Sequence, residues 1–478
     1  MVRGARPARW RVVALVVAVL SLLAAGAVVL LLQERGITPR ALAPYLAKRS
    51  SGHNDIIVGT GQWSAALLER LDRGPAGPRQ LDLPVLGAQS SPAPASGTVR
   101  IVTSGGELRR AMAHAAPGDI ITIAPGSYRI GGPPIVANRA GTAAANIVVR
   151  AEKAGSVELE LAIGEGFVVL APHWRFENLT IRGVCKPQLY CEHAFHVVGA
   201  ASHFTAINNA IIDYNAHFKV NGNKRQYPDY GRIENNTLRN DSIRHTVKSV
   251  TPVDIVAASH WLIRRNVITD FIKGQGDRIS YAAFTKGGGS ANVFEQNLVV
   301  CEARLRGAPG QRVGISLGGG ATGQAYCRDG KCITEQDRSI VRANIIASCS
   351  DDGIYLNNAA ASRVIHNTLV DTGGIHVRFA GSSADIEGNL VDGQIRARNG
   401  AVVRLHDNLV TPIAQQYLGI HPQRRLYMDA DALDLRWNGQ APRRQDAGQL
   451  PPDLCGVTRP AHPAYGAVED ISACMAAD

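Results

Sequence analysis

The sequence predicts an all-β chain wound as a single-stranded parallel β-helix, and two repeated elements predict it. The first is an asparagine in a short apolar frame, at Asn178, Asn209, Asn236, Asn266, Asn297, Asn344, Asn367, Asn389 and Asn408. Successive gaps of 31, 27, 30, 31, 47, 23, 22 and 19 residues suit a solenoid with one coil per repeat. The frames are β-rich, as in FEQNLVV. An Asn where the chain turns can bond the local backbone or stack on the Asn of the next coil.

The second element precedes most of these frames. It reads AFHVVG, HFKVNG, PVDIVA, AAFTKG, GISLGG, GIYLNN and GIHVRF. Its second and fourth residues, from Phe195/Val197 to Ile375/Val377, are nearly all apolar, so period-two alternation turns them inward. The third residues then point out: His196, Lys219, Asp254, Phe284, Ser316, Tyr355 and His376. So do the fifth: Val198, Asn221, Val256, Lys286, Gly318, Asn357 and Arg378. Parallel strands lie ~4.8 Å apart, which makes each column a row of physical neighbours.

At the N-terminus a basic flank, 1–11, precedes an uncharged run of 21 residues, Val12 to Leu32. That is long enough to cross ~30 Å of hydrocarbon with the flank on the cytoplasmic side. A signal-peptide core is usually ~7–15 residues, so an uncleaved anchor is favoured over cleavage near Gln33. Residues 33–97 read as a juxtamembrane stalk with a short helix at 63–72 and exposed Pro- and Gly-rich linkers. Regular structure begins at Thr98. A short helix at 104–115, capped by Ser104, would cover the open end of a solenoid spanning 98–410. Residues 411–478 are expected to pack along it as a tail.

From the outward column to the turn Asn is 12 or 13 residues in most coils. Lys219 to Asn236 is 17, with NKRQYPDYG as the surplus, and Ser316 to Asn344 is 28, with TGQAYCRDGKC in the surplus. Inserted loops of a solenoid gather over its binding face, so both are expected to wall one groove.

Net charge is +11, of which residues 1–49 carry +7. The basic balance is mostly a membrane-flank effect and gives no reason to expect nucleic acid. Eight cysteines fit an oxidising compartment, with the main domain periplasmic or otherwise outside the cytoplasm of an inner-membrane protein. Cys301 with Cys349 and Cys327 with Cys332 are the expected pairs. Cys185 and Cys191 bracket a short loop, and Cys455 and Cys474 remain for the tail. The spacings resemble no common zinc pattern.

The outward face mixes Lys219, Asp254, Lys286 and, two residues before a strand, Arg312 with the aromatics Tyr281, Phe284 and Tyr355. Such a face carries charge for solubility in any case. Long loops on this side and glycines beside Lys286 and Ser316 favour a sugar-binding cleft instead.

The chain resembles the right-handed parallel β-helix superfamily of carbohydrate-active proteins, and most closely in type the lyases of alginate and dermatan-type polysaccharides. LRRAMAHAAPGDIITIAPGSY at 108–128, WRFENLTIRG at 174–183 and YGAVED at 465–470 carry the resemblance, which covers about 98–470. It implies β-elimination on an anionic uronate polymer. A cation neutralises the C5 carboxylate, a base removes H5, and an acid protonates the leaving O4. The matching base is Lys286, with Arg312 on the carboxylate and Tyr355 as acid or stacking platform. Lys219, Asp254, Asn221, Phe284, His376 and Arg378 would bind substrate. Calcium is the cofactor such lyases often use. Its Asn/Glu/Glu ligand group is not recognisable here, so no ligands are assigned. Three alternatives stay open: a C5-epimerase, a glycoside hydrolase and a tethered, non-catalytic polysaccharide-binding protein. Asp351–Asp352 superficially matches the hydrolases, without their Gly-His-Gly, and reads more simply as a turn.

Overall fold

The computed structural model describes residues 8–75, 77–88, 97–319, 322–445, 448 and 450–475. The first seven residues of the basic flank, the Pro/Ser-rich linker at 89–96 and Gly320 lie outside them. Two compact units form: 1–74 with 411–421, and 75–410 with 422–478.

The first unit is helical. Helix Ala8–Glu34 includes the 22-residue stretch Val13–Glu34, whose most apolar 18 residues have a mean hydropathy of 3.0, long and apolar enough to cross a membrane. Where an exposed stalk is expected, the structure has helices Pro39–Ser50 and Asp55–Arg73 packed together. Thr38 and Asn54 cap them by accepting from the N–H of Ala41 and Ile57, and Gly74 at φ 71° ends the second. Arg40 and Asp72 join them through a buried ion pair of 2.6 Å. The short helix Ile413–Tyr417 belongs to this unit, with Tyr417 Oη donating to the Ile37 carbonyl at 3.1 Å. Residues 411–421, expected as the start of a tail along the solenoid, fall within this unit.

The second unit is a right-handed parallel β-helix. Among the described residues its strands stack into three parallel sheets of 12, 10 and 11 strands. The 10-stranded sheet carries the period-two segments, and its register matches the sequence columns coil by coil. Lys219 pairs with Asp254, Asp254 with Phe284, Phe284 with Ser316, Ser316 with Tyr355, and Tyr355 with His376. The inward residues Phe195, Phe218, Ile255, Ile315, Ile354 and Ile375 are buried in one continuous core. Helix Gly105–Ala113 closes its start: the Ser104 side chain accepts from Glu107 N, and Leu108, Ala111 and Met112 enter the core. Four disulfides join Cys185 to Cys191, Cys301 to Cys349, Cys327 to Cys332, and Cys455 to Cys474. Residues expected as linker also contribute. Leu83 and Leu86 are buried in a flanking cluster with Leu298, Ile345 and Tyr427, and Arg265 donates to the Val85 carbonyl at 2.7 Å.

The asparagines form a ladder from Asn209 to Asn408, buried as far as Asn389. Asn297 is typical: its Nδ2 donates to Asn344 Oδ1 and to the Ile263 carbonyl, both at 2.9 Å. Its Oδ1 accepts from the backbone N–H and the Nδ2 of Asn266, both at 3.0 Å. The residue before each rung takes positive φ, as at Arg265, Gln296 and Ala343. Asn178 is displaced by one: it holds the positive-φ position (63°), while Leu179 aligns with Asn209. Asn297→Ala leaves several buried groups without partners, each costing about 1–3 kcal/mol. Chemical denaturation is expected to show a loss of about 2–4 kcal/mol, and a loss near zero would remove the ladder as a source of stability.

Candidate active site

The floor of the site is the outward face of the 10-stranded sheet. Lys219 and Asp254, neighbours on successive coils, form an ion pair of 2.7 Å. Asp254 is 5% exposed, and its Oδ1 is buried without a hydrogen-bond partner. Lys286 lies on the second outward column, with Nζ 4.6 Å from the centroid of the Phe284 ring. Its methylenes rest on Gly319, where a Cβ would come within 2.5 Å of Lys286 Cδ. Phe284 itself is 6% exposed, packed edge-on against Tyr281 at 5.5 Å, so it supports Lys286 more than it offers a surface. Burial pushes the Tyr281 hydroxyl up to about 12.

Beside these columns opens a cleft of about 550 Å³. Its walls are the two insertions, Gly222 to Tyr227 on one side and Gln324 to Gly330 on the other. Arg328 ties them together. Its guanidinium forks onto Asp229 at 2.7 and 2.8 Å and lies 4.5 Å from the Tyr227 ring centroid. Tyr227 Oη donates back to the Arg328 carbonyl at 3.1 Å. Gly287, next to Lys286, abuts the same loop, since a Cβ there would sit 3.3 Å from the Tyr326 carbonyl oxygen. Lys224, Arg225 and Arg328 make the lining basic, and Tyr227 and Tyr326 make it aromatic. Arg328→Ala should release the two walls and weaken binding of an anionic polymer about tenfold by loss of preorganisation. Affinity electrophoresis measures this, and unchanged mobility would show that the loops do not shape the site.

Farther along the face, Tyr355 accepts a hydrogen bond from Asn357 Nδ2 at 3.3 Å and lies 5.5 Å, centroid to centroid, from His376. Burial raises the Tyr355 hydroxyl, and the hydrogen bond and charge of Arg378 oppose that rise. His376 is 9% exposed and its Nδ1 meets Asp352 at 3.0 Å; Arg396 donates to the other Asp352 oxygen at 2.6 Å. Burial alone would raise the Asp352 carboxyl, but Arg396 and His376 hold it below the usual range. Asp352 is thus a buried anchor and not merely a turn residue. His376 is fixed by it and lies under the surface instead of open to a ligand.

Arg312 is not on the open face. It shares the outward parity of Ser316, but segment 301–310 folds over it. It is fully buried, its Nε bonds Glu302 at 2.8 Å, and its two terminal nitrogens donate to the carbonyls of Pro309 and Ala308. The partly exposed groups that remain together are Lys219, Asn221 and Lys286, with Tyr355 and Arg378 farther along. The sequence did not point to Asp229, Arg328 or the cleft-lining Lys224 and Arg225 as individual residues, although the insertions that carry them stood out, and it gave no sign of Arg396 on the late strand Gln394–Arg398.

Two clusters of ligand-type side chains stand among the described residues: Glu165 with His193 and His196, and Asp329 with Cys327 and Cys332. The second has its thiols consumed in a disulfide. Neither of these two groups is the six- to eight-oxygen cage of calcium.

No protein-family model and no curated protein matches the chain. Among solved structures it is similar to the pectate lyase Pel9A, at TM-score 0.54 and 15% identity over 79% of this chain and 98% of that one. It is also similar to an alginate lyase from Paenibacillus sp. (TM-score 0.40, 15% identity, 66% and 96% covered). A third is the mannuronan C-5 epimerase A-module of Azotobacter vinelandii (0.42, 14%, 66% and 93%). At these identities the likeness is one of fold, the right-handed parallel β-helix.

Proposed function

We propose that the protein is an extracytoplasmic lyase that cleaves an anionic, uronate-containing polysaccharide by β-elimination. The observation that carries this reading is the basic and aromatic cleft, built jointly by two insertions and opening beside Lys219, Asn221 and Lys286. A polymer lying across the coils would meet these groups in succession. The cations Lys219, Lys224 and Arg225 attract the carboxylates, taking over the part expected of Arg312. Asp254, buried beneath the face, holds the Lys219 ammonium in place through their 2.7 Å ion pair. With the carboxylate neutralised, the electron density left at C5 is stabilised. The Nζ of Lys286 takes H5, the electron pair forms the C4–C5 double bond, and O4 departs with a proton from water in the open cleft. Tyr355 sits two coils beyond Phe284, ~10 Å, which suits stacking on a neighbouring sugar. The helix over 12–32 would keep the enzyme in the inner membrane with the solenoid outside, where its four disulfides persist.

Size-exclusion analysis of polymers incubated with the protein tests the reading. Uronate polymers should shorten and neutral glucans should not. Shortening of neutral polymers, or binding of uronate polymers without any shortening, would overturn it; the second result would identify a binding protein.

A further inference from the structure

Toward the start of the same face, three ligand atoms that do not line the cleft converge. Glu165 and His193 are paired in register on adjacent strands, and His196 lies three residues on. The Nδ1 atoms of His193 and His196 approach one oxygen, Glu165 Oε1, at 3.3 and 3.0 Å. All three donor atoms lie within 4.8 Å of one another, and the side chains are partly exposed, so an ion could reach them.

The hydrogen bonds around His196 show what the cluster lacks. Asn221 Nδ2 donates to the Gly222 carbonyl at 3.1 Å, which turns Asn221 Oδ1 toward His196 Nε2 at 2.7 Å. An amide oxygen only accepts, so Nε2 carries the proton. In the neutral ring Nδ1 then presents a lone pair to a carboxylate 3.0 Å away. A second imidazole nitrogen faces the same oxygen. A cation held between the three atoms satisfies all of them at once; without one, a proton on Nδ1 of either ring takes its place.

We infer that Glu165, His193 and His196 form a divalent transition-metal site of the zinc type. Two ligand atoms ~2.0–2.1 Å from a tetrahedral ion stand about 3.3–3.4 Å apart, close to the two separations found here. Two imidazoles and a carboxylate suit zinc or its neighbours in the transition series and not calcium. Asn221 fixes the tautomer that leaves Nδ1 able to coordinate, the usual part of an outer hydrogen-bond partner. Three protein ligands leave a fourth position. His196 is aligned with Lys219 on the next coil, so a sugar carboxylate is the ligand that would complete the site, a point that rests on the polysaccharide reading above.

The test uses full-length protein in detergent, without a polyhistidine tag, titrated with Co²⁺ near pH 7.5 in the absence of polymer. One equivalent should bind, with visible ligand-field bands of tetrahedral intensity that Zn²⁺ abolishes by displacement. Glu165→Gln and His196→Ala should each weaken binding at least ~30-fold. Thermal unfolding provides the second readout: Zn²⁺ should raise the midpoint of the parent protein and leave that of Glu165→Gln unmoved. Absence of the bands, or equal binding by the variants, would leave only an imidazolium–carboxylate pair and overturn the site. Because no polymer is present, failure of the lyase reading would not affect this result, and failure of the metal site would leave Lys286 chemistry untouched.

Discussion

Lys286→Ala is expected to lose about a thousandfold or more in turnover on a uronate polymer, with affinity for that polymer changed less than about threefold. The size follows from removing a positioned general base, which contributes ~10²–10⁴. The small change in affinity follows from the setting. Lys286 stands on a rigid strand, over the Phe284 ring and against Gly319, and the cleft cations Lys224, Arg225 and Arg328 remain. Truncation leaves no buried charge behind, because Lys286 is partly exposed. Steady-state rates and affinity electrophoresis on the same preparation separate the two quantities. A variant that keeps its turnover would show that another group takes H5, even if elimination is the reaction.

The second large effect is on stability in acid. Burial, reinforced by the charges of Arg459 and Arg444, pushes His366 down to about 3, and Arg444 donates to its neutral ring at 2.8 Å. Burial likewise pushes His217 down to about 3. Both are at most 2% exposed. Their folded values lie below the unfolded value of ~6.5, so the unfolded chain binds the extra protons. The stability they allow is complete above pH ~6.5 and is lost as pH falls toward their folded values, at ~1.4 kcal/mol per unit for each ring. By pH 4.5 this amounts to about 2–3 kcal/mol per histidine. Unfolding midpoints measured from pH 7 to 4.5 should fall steeply, and His366→Gln should flatten part of that slope. A midpoint independent of pH over this window would mean that neither ring is held neutral.

How much of this could be read in advance depended on whether the determinant was local. The coil register was legible because inward pairs such as Phe218/Val220 and Ile354/Leu356 alternate within five residues, and parallel stacking then aligns the outward columns. The ladder was legible for the same reason. It slipped by one only at Asn178, where two positions of the frame both suit asparagine, one for positive φ and one for the rung. The walls of the cleft were legible as surplus length, but not the joint between them, because Arg328 meets Asp229 across 99 residues of chain. Arg312 misled because parity tells which way a side chain leaves the sheet and says nothing of a loop that folds over it. Residues 39–73 carried helix signals, Pro39 and the cap at Asn54, that the flanking Pro- and Gly-rich stretches outweighed. His196 stood in the outward column, but its grouping with Glu165 and His193 was hidden because strict alternation would place 193 and 196 on opposite faces. The strand start at His193 departs from that pattern and brings both rings to one carboxylate.

The measurement that bears most directly on the account is the ultraviolet absorbance of a newly formed C4–C5 double bond when the protein is mixed with a uronate polymer, read together with the mass of the fragments. Elimination predicts that absorbance rises as the polymer shortens, that the fragments together weigh what the parent chain weighed, and that Lys286→Ala gives neither change. Fragments heavier by one water per cut, with no new absorbance, would make the protein a hydrolase and contradict the account.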